Sequence, residues 1–359
     1  LRTFEPKSTL MSEFYSLKIN QIDKLTANAV NLQFELPEHL KEHYRFKPGQ
    51  YLTLKADING ESVRRAYSIS AAPSDDFLSV GIKKVQGGKF SSFAVDKLQA
   101  GASLEVMTPL GNFFWEAKST TENIALFAAG SGITPMMSIA KSHLESSDTS
   151  KVLLVFGNKT VEEVMYRELL LALQEAYPDR FMLEWVYSRA NVPRAQFGRI
   201  DKGIVNHFLK NTYSNIRFDD YFVCGPEDMI NTSLATIGAL GVEENRIHFE
   251  RFTSSVSEEK PVVASNGSVA IKVTLDEVEY ALSADSSTAL LDVCIKEKID
   301  VPYSCHGGVC STCIARVTKG TAVMEKNEIL TDSEVEEGLI LTCQAHATSS
   351  EIELDYDDV

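Results

Sequence analysis

Cys305, Cys310 and Cys313 are spaced C-x4-C-x2-C, and Cys343 follows after another 29 residues. Two irons bridged by two sulfides need four thiolates. A short loop wrapped over the cluster can supply three, and the fourth must come from elsewhere in the fold. This is the plant-type spacing for [2Fe–2S] ligation. The residues between the cysteines are small (Gly307, Gly308, Ser311, Thr312), so backbone N–H groups can approach the sulfurs and stabilise the charge added on reduction. A structural zinc site is the competing reading, although zinc loops usually repeat a C-x2-4-C pair. Cys294, four residues after Leu290, reads as a core residue of the preceding helix. His306, with no second histidine at Rieske spacing, reads as a solvent-facing neighbour.

A second constellation lies at Gly130-Ser131-Gly132-Ile133-Thr134-Pro135, which follows an apolar run and opens a helical stretch. Glycines there permit a tight turn and close approach of a pyrophosphate, and a helix N-terminus favours its charge. Pro135 suits the first helical turn. Many strand–helix turns use Gly-x-Gly, so the signal gains weight only from its setting, with Cys224-Gly225-Pro226 ending a later strand. Cys224 without that motif reads as a buried small hydrophobe. A third set, Arg65-Ala66-Tyr67-Ser68, offers an Arg for phosphate, an aromatic for a ring system and a hydroxyl, as a flavin site needs. Taken alone, it reads more simply as a solvated cross-strand pair.

The elements that must hold these groups fall into three stretches. Residues 11–117 alternate in short runs (Val30–Leu36, Tyr51–Lys55, Arg65–Ser70, Leu78–Lys83, Leu104–Thr108) broken by turn residues, which predicts an antiparallel β-barrel with a short helix at Ser92–Leu98. Residues 118–252 alternate apolar strands (Asn123–Ala129, Val152–Phe156, Phe181–Tyr187, Tyr221–Val223, Arg246–Phe249) with helices from Pro135 and at Val161–Ala176, Lys202–Leu209 and Met229–Leu240. That rhythm predicts an α/β domain with a doubly wound parallel sheet. Residues 253–268 read as a linker. Residues 269–359 begin with a hairpin (Val269–Leu275, Val278–Leu282), continue with a helix at Thr288–Lys298, and form an α+β module around the cysteine loop.

The chain has 359 residues and a net charge of −15. From Ile271 onward there are 18 Asp and Glu against 6 Lys and Arg, so −12 of the charge lies in this last quarter. Nucleic acid and anionic membrane surfaces are therefore poor partners. No stretch approaches the ~18 apolar residues of a spanning helix. Residues 1–10 show no signal-peptide pattern, and Met11-Ser12-Glu13-Phe14 reads as a natural start, with a native terminus that includes residues 1–10 as the equal alternative. These features and the clustered cysteines lead us to expect a cytoplasmic protein.

In this order, the pieces resemble the ferredoxin–NADP reductase superfamily with a C-terminal plant-type ferredoxin of β-grasp fold. The similarity runs from Phe14 to Tyr356 through Phe46-Lys47-Pro48-Gly49-Gln50-Tyr51, Arg65–Ser68, Gly130–Pro135 and Cys224-Gly225-Pro226. Gly87-Gly88-Lys89-Phe90-Ser91, Phe156-Gly157-Asn158, Gly198-Arg199-Ile200-Asp201, His248–Phe252 and Pro302–Cys305 are similar to the branch serving phenylacetyl-CoA epoxidases. The resemblance implies a multidomain enzyme with FAD, NADPH and a [2Fe–2S] cluster held by Cys305, Cys310, Cys313 and Cys343. It places Arg65 on the flavin pyrophosphate, Tyr67 and Ser68 at the ring, and Ile82-Lys83-Lys84 along the nucleotide arm. Gly88, Ser91 and Ser92 would be donors at a helix start, where one serine reads as an N-cap.

Gly130, Gly132, Thr134 and Pro135, with Gly225 and Pro226, would hold the nicotinamide nucleotide. Ser68, Cys224 and Glu250 would surround the nicotinamide–flavin contact as the catalytic set, with Phe252 near the ring; Glu250 also reads as a solvated strand-end residue. Ser188, Arg189 and Arg199 suit a 2′-phosphate, and no acidic residue stands at Tyr187-Ser188-Arg189 to hold a ribose diol. Two surface-loop arginines are the plain alternative. Electrons are thus expected to run from NADPH through FAD and the cluster to an oxygenase, by resemblance a di-iron enzyme acting on an aryl-CoA thioester. The alternatives are a reductase for another oxygenase, a stand-alone flavoreductase, and a binding or sensor protein with a vestigial site. FMN is the alternative flavin.

Overall fold

The computed structural model describes residues 13–117, 122–252 and 267–359. The expected start at Met11, residues 118–121 at the first domain boundary, and linker residues 253–266 lie outside the described residues. Among the described residues no helix is long and apolar enough to cross a membrane.

The first sheet contains β1 (Phe14–Thr26), β2 (Ala29–Glu35), β3 (Tyr51–Ile58), β4 (Glu61–Ser68), β5 (Leu78–Lys83) and β6 (Ser103–Met107), in the order β4-β3-β6-β1-β2-β5. Every pairing in it is antiparallel. The sheet curls until its edge strands meet at a bridge between Ile69 and Val80. Alternation points Leu17, Ile19, Leu32, Phe34, Leu52, Leu54, Val80 and Ile82 into one core, which Phe90 of α1 (Lys89–Asp96) joins. The helix starts three residues earlier than the sequence predicts, and Gly88 caps it. Neither serine is the N-cap; Ser91 Oγ instead accepts the N–H of Val85.

The second sheet is parallel throughout. It contains β7 (Ile124–Ala129), β8 (Val152–Asn158), β9 (Phe181–Tyr187), β10 (Gln196–Phe197), β11 (Asp220–Cys224) and β12 (Ile247–Glu250), in the order β10-β9-β8-β7-β11-β12. Its strands are apolar on both faces because both are covered: Leu126 and Phe156 pack on one side, Phe127 and Val155 on the other. The helices are α2 (Ile133–Ser146), α3 (Arg167–Ala176), α4 (Lys202–Asn206) and α5 (Glu227–Gly238). The single helix expected over Val161–Ala176 is broken. Tyr166 sits in the left-handed region (φ 58°), and its hydroxyl donates to Asn31 of the barrel at 3.0 Å. A contact across domains overrides local helical preference there.

The third unit comprises β13 (Ser268–Leu275), β14 (Val278–Asp285), α6 (Leu290–Lys296), β15 (Ile314–Lys319), β16 (Ala322–Met324), α7 (Asp332–Glu336), β17 (Leu339–Leu341), β18 (Ala345–Ala347) and β19 (Glu351–Asp355). Its main sheet runs β14-β13-β19-β15-β17, with β16 and β18 paired apart. Ser268, read as linker, begins β13. The β13–β14 turn places Asp276 and Glu277 at positive φ, and the Asp357 carboxylate accepts both backbone N–H groups at 2.8 Å. Part of the acidic C-terminus therefore ties down a turn. Cys294 is fully buried in this core, as expected.

Candidate functional site

The cysteine loop runs between α6 and β15, and Cys343 follows β17 immediately beyond Thr342. Thr342 ties the two stretches together: its N–H and hydroxyl both reach Cys313 C=O, at 3.0 and 2.9 Å. The four sulfurs converge. Cys305 and Cys310 Sγ are 3.1 Å apart, and the N–H of Gly307 donates to Cys305 Sγ at 3.3 Å. Hydrogen bonds from Cys310 and Cys343 hold the Cys305 thiol well below its ordinary range, and a hydrogen bond from Cys343 lowers Cys313. The donors, Cys310 and Cys343, are raised in turn. This donor set, all thiol sulfur with backbone N–H support, fits a thiolate-held cluster. His306 is exposed, stacked edge-on against Tyr303.

The cluster loop opens onto a cavity of roughly 370 Å3 whose other walls come from the barrel and the parallel sheet. Period-2 alternation in β5 turns Ile82 into the barrel core and leaves Gly81 and Lys83 on the cavity. Ile82 can therefore offer a ligand along this arm only its backbone. Lys84 faces away and pairs with Asp96 at 2.6 Å, and Ser92 lines a separate surface hollow. Arg65, Tyr67, Ser68, Gly88, Ser91, Thr134, Glu250, Phe252, Cys305 and Cys310 share the cavity. Tyr67 leans on Phe90 with ring centroids 5.6 Å apart, and burial pushes its phenol up. The cavity thus combines an aromatic wall, cationic groups and a hydroxyl–carboxyl pair, an arrangement that fits a flavin.

Ser68 Oγ donates to Glu250 Oε2 at 3.1 Å, across the seam between barrel and sheet. Parallel pairing sets Glu250 beside Cys224, which is fully buried. Burial pushes the Glu250 carboxyl up to about 8, with the Ser68 hydrogen bond acting against it. Burial likewise raises the Cys224 thiol, and the nearby Glu250 adds to that. The three residues assigned to the nicotinamide–flavin contact are therefore neighbours. Cys224 itself does not line the cavity.

Gly130–Gly132 form a tight turn into α2, with Gly130 at φ 56°. Gly132 is needed for packing: a Cβ there would lie 2.1 Å from the Cys224 carbonyl oxygen. Thr134 Oγ1 donates to Ser131 C=O at 3.0 Å and so braces the turn. Pro135 lies in the first turn of α2, and Pro226 caps α5 just after Gly225. We predict that Gly132→Ala lowers stability by about 1–3 kcal/mol, because backbone must move to admit the methyl. Chemical denaturation checks this, and an unchanged midpoint would show that the turn and strand end separate freely.

At the carboxyl end of β8, next to this turn, both side-chain polar atoms of Asn158 are buried without a hydrogen-bond partner among the described residues. An orphaned amide at a strand's carboxyl end, the side of such sheets that takes nucleotides, fits a bound nicotinamide nucleotide. The β9–β10 register pairs Tyr187 with Phe197, so Ser188-Arg189 and Gly198-Arg199 leave the same sheet edge side by side. Arg189 and Arg199 are exposed there, away from the flavin-type cavity.

Sequence reasoning gave no joining role to three residues that link the cluster module to the other domains. Arg64 is 5% exposed and reaches Asp300 at 2.5 Å, with its guanidinium 4.2 Å from the Tyr303 ring. Arg251 pairs with Glu328 at 3.0 Å, and Tyr51 bonds to Ser311 and Thr312. The available signal was alternation: pairing of β3 with β4 puts Tyr51 opposite Ser68, so Tyr51, Ser68, Ala66 and Arg64 share one face.

Three families of known domains match the chain in this order: the oxidoreductase FAD-binding domain over residues 16–115, the oxidoreductase NAD-binding domain over 126–234, and the 2Fe-2S iron-sulfur cluster binding domain over 273–348. The chain is 36% identical to one of the subunits of 1,2-phenylacetyl-CoA epoxidase from Escherichia coli (strain K12), covering 97% of this chain and 99% of that protein. It is 32% identical to the ferredoxin reductase component of 3-ketosteroid-9-alpha-monooxygenase from Rhodococcus rhodochrous, over 95% and 96% of the two chains. In fold it is similar to phthalate dioxygenase reductase, with a TM-score of 0.60 and 21% identity over 95% of this chain and 98% of that one. The cofactors are therefore FAD, a [2Fe–2S] cluster and NAD(P)H, and the chain is an electron-transfer oxidoreductase.

Proposed function

The chain belongs to the family of oxygenase reductase components that join FAD-binding, NAD-binding and 2Fe-2S domains, and from that premise we propose that it carries electrons from NADPH through FAD and its cluster to a di-iron oxygenase acting on an aryl-CoA thioester such as phenylacetyl-CoA. The observation that carries this reading is the shared cavity, in which Arg65, Tyr67 and Ser68 face Cys305 and Cys310 across one space. When bound, the flavin accepts a hydride and releases electrons singly, which matches a two-electron donor to a one-electron cluster. The residues do the positioning. Ser68 and Glu250 orient the nicotinamide against the ring, Arg65 and Lys83 hold flavin phosphates, and the cysteine loop presents the cluster. Orientation accounts for most of the rate gain.

The partner is proposed from the relatives' names and from charge. The cluster module carries most of the net negative charge, and acidic surface steers a basic docking face. Mixing the protein with a purified di-iron phenylacetyl-CoA oxygenase should give NADPH-dependent substrate loss that slows as salt rises. Reduction of free dyes without product formation would instead favour a stand-alone flavoreductase.

NADPH preference rests on Arg189 and Arg199 leaving one sheet edge together, a geometry that suits a phosphate dianion. We expect kcat/KM for NADPH to exceed that for NADH by at least ~10-fold, and Arg199→Ala to erase most of the difference. Equal or better use of NADH would overturn this assignment.

A further inference from the structure

Tyr51 of the barrel strand β3 reaches into the cysteine loop. Its hydroxyl is 2.9 Å from Thr312 Oγ1 and 3.2 Å from Ser311 Oγ, and Thr312 Oγ1 is 3.4 Å from Cys310 Sγ. Tyr51, Thr312 and Cys310 are all buried, and Tyr51 and Cys310 also line the cavity described above. A cysteine that ligates iron is a thiolate and only accepts hydrogen bonds. Thr312 has a single O–H, and a hydrogen bond to that sulfur uses it. Its oxygen is left to accept, and the Tyr51 O–H is the donor in reach. Ser311 can donate in turn to the phenol oxygen. Each hydroxyl donates once, and the chain ends on Cys310. Hydrogen bonds in such a chain polarise one another, and a stronger donor at a ligand sulfur favours the reduced, more negative cluster.

We propose that Tyr51 is a positioning residue for electron transfer, whose hydroxyl fixes Thr312 as a donor to Cys310 and so raises the reduction potential of the cluster while the module sits on the barrel. The inference rests on the reading that the four cysteines hold the cluster. One electron leaves the reduced flavin and one enters the cluster; Tyr51 exchanges neither bond nor proton. Because the donor belongs to a different domain from the sulfur, the effect exists only in the docked arrangement that Arg64–Asp300 and Arg251–Glu328 also hold.

The test is an EPR-monitored redox titration of the full chain with its cofactors, comparing the unmodified protein with Tyr51→Phe, Thr312→Val and the double variant. Tyr51→Phe should lower the cluster midpoint so that the flavin–cluster electron equilibrium shifts about tenfold toward the flavin, ~59 mV for one electron. Thr312→Val should shift it at least as far, and the double variant no further than Thr312→Val alone. An unchanged cluster midpoint in Tyr51→Phe, or additive shifts in the double variant, would overturn the proposal. Absence of any cluster signal in the unmodified protein would overturn the reading beneath it as well. A merely structural role would lower cluster content or thermal stability and leave the midpoint where it was.

Discussion

Cys343→Ala should leave a protein that still oxidises NADPH but no longer feeds a one-electron partner. Three thiols cannot close a dinuclear cluster, and changes even beyond the direct ligands of metal sites cost 10- to 100-fold. Electron delivery to an oxygenase should therefore fall by more than ~100-fold. NADPH-driven ferricyanide reduction, which needs only the flavin, should stay within about threefold, because Cys343 does not line the proposed flavin cavity. Calorimetry should show a second effect. Cys313 and Cys343 are part of the buried core of the third domain, and metal binding contributes folding free energy there. The module's thermal transition should fall while that of the barrel and parallel sheet holds. Retention of a full cluster spectrum in Cys343→Ala would remove this residue from the ligand set.

The second large effect concerns Ser68 and Glu250. Ser68→Ala removes the hydroxyl that bridges barrel and sheet at the proposed nicotinamide–flavin contact, and should slow flavin reduction by roughly 100-fold, the scale of a 1 Å misplacement. Glu250 gives this contact a pH dependence. Its carboxyl is raised to about 8 chiefly by burial, so it is mostly neutral at pH 7 and can accept the Ser68 hydrogen bond on one oxygen while donating from the other. Flavin reduction should decline as pH rises through about 8, where a charge appears beside a ring gaining electrons. The stability sign follows from proton counts. Between its ordinary range near 4.5 and about 8 the folded protein holds a proton that the unfolded chain has released. Stability from this group is thus fully present below that window, falls as pH rises through it, and is level above. Glu250→Gln should flatten both profiles. If the alkaline decline survives in Glu250→Gln, another group is responsible.

Much of this was legible in the sequence because the informative residues are close together along it. Ligand spacing singled out the cluster cysteines, an apolar run marked Phe181–Tyr187 and a short alternating run marked Leu78–Lys83, both at their observed bounds. The longest strand, Phe14–Thr26, was not picked out as a strand. Its pairing with β2 shifts register between Ile19 and Gln21 and again between Lys24 and Thr26, so alternation read straight through it goes out of phase. The break at Tyr166 depends on Asn31, 135 residues earlier, and no local propensity encodes that contact. The same holds for Tyr51, Arg64 and Arg251. Their roles appear only once the third domain is set against the first two, and the sequence between 253 and 266 carries no periodicity that specifies that arrangement.

Electrons should reach the cluster only through the flavin, across the cavity that both sites share. Anaerobic mixing of the complete protein with one equivalent of NADPH, followed by stopped-flow absorbance and freeze-quench EPR, tests this route. The flavin band should bleach first, and the cluster's reduced signal should then grow to one electron per chain, the second electron remaining on the flavin. Removing the flavin should abolish the cluster signal. A cluster that is reduced as fast in flavin-free protein, or that stays oxidised while the flavin is fully reduced, would contradict that route.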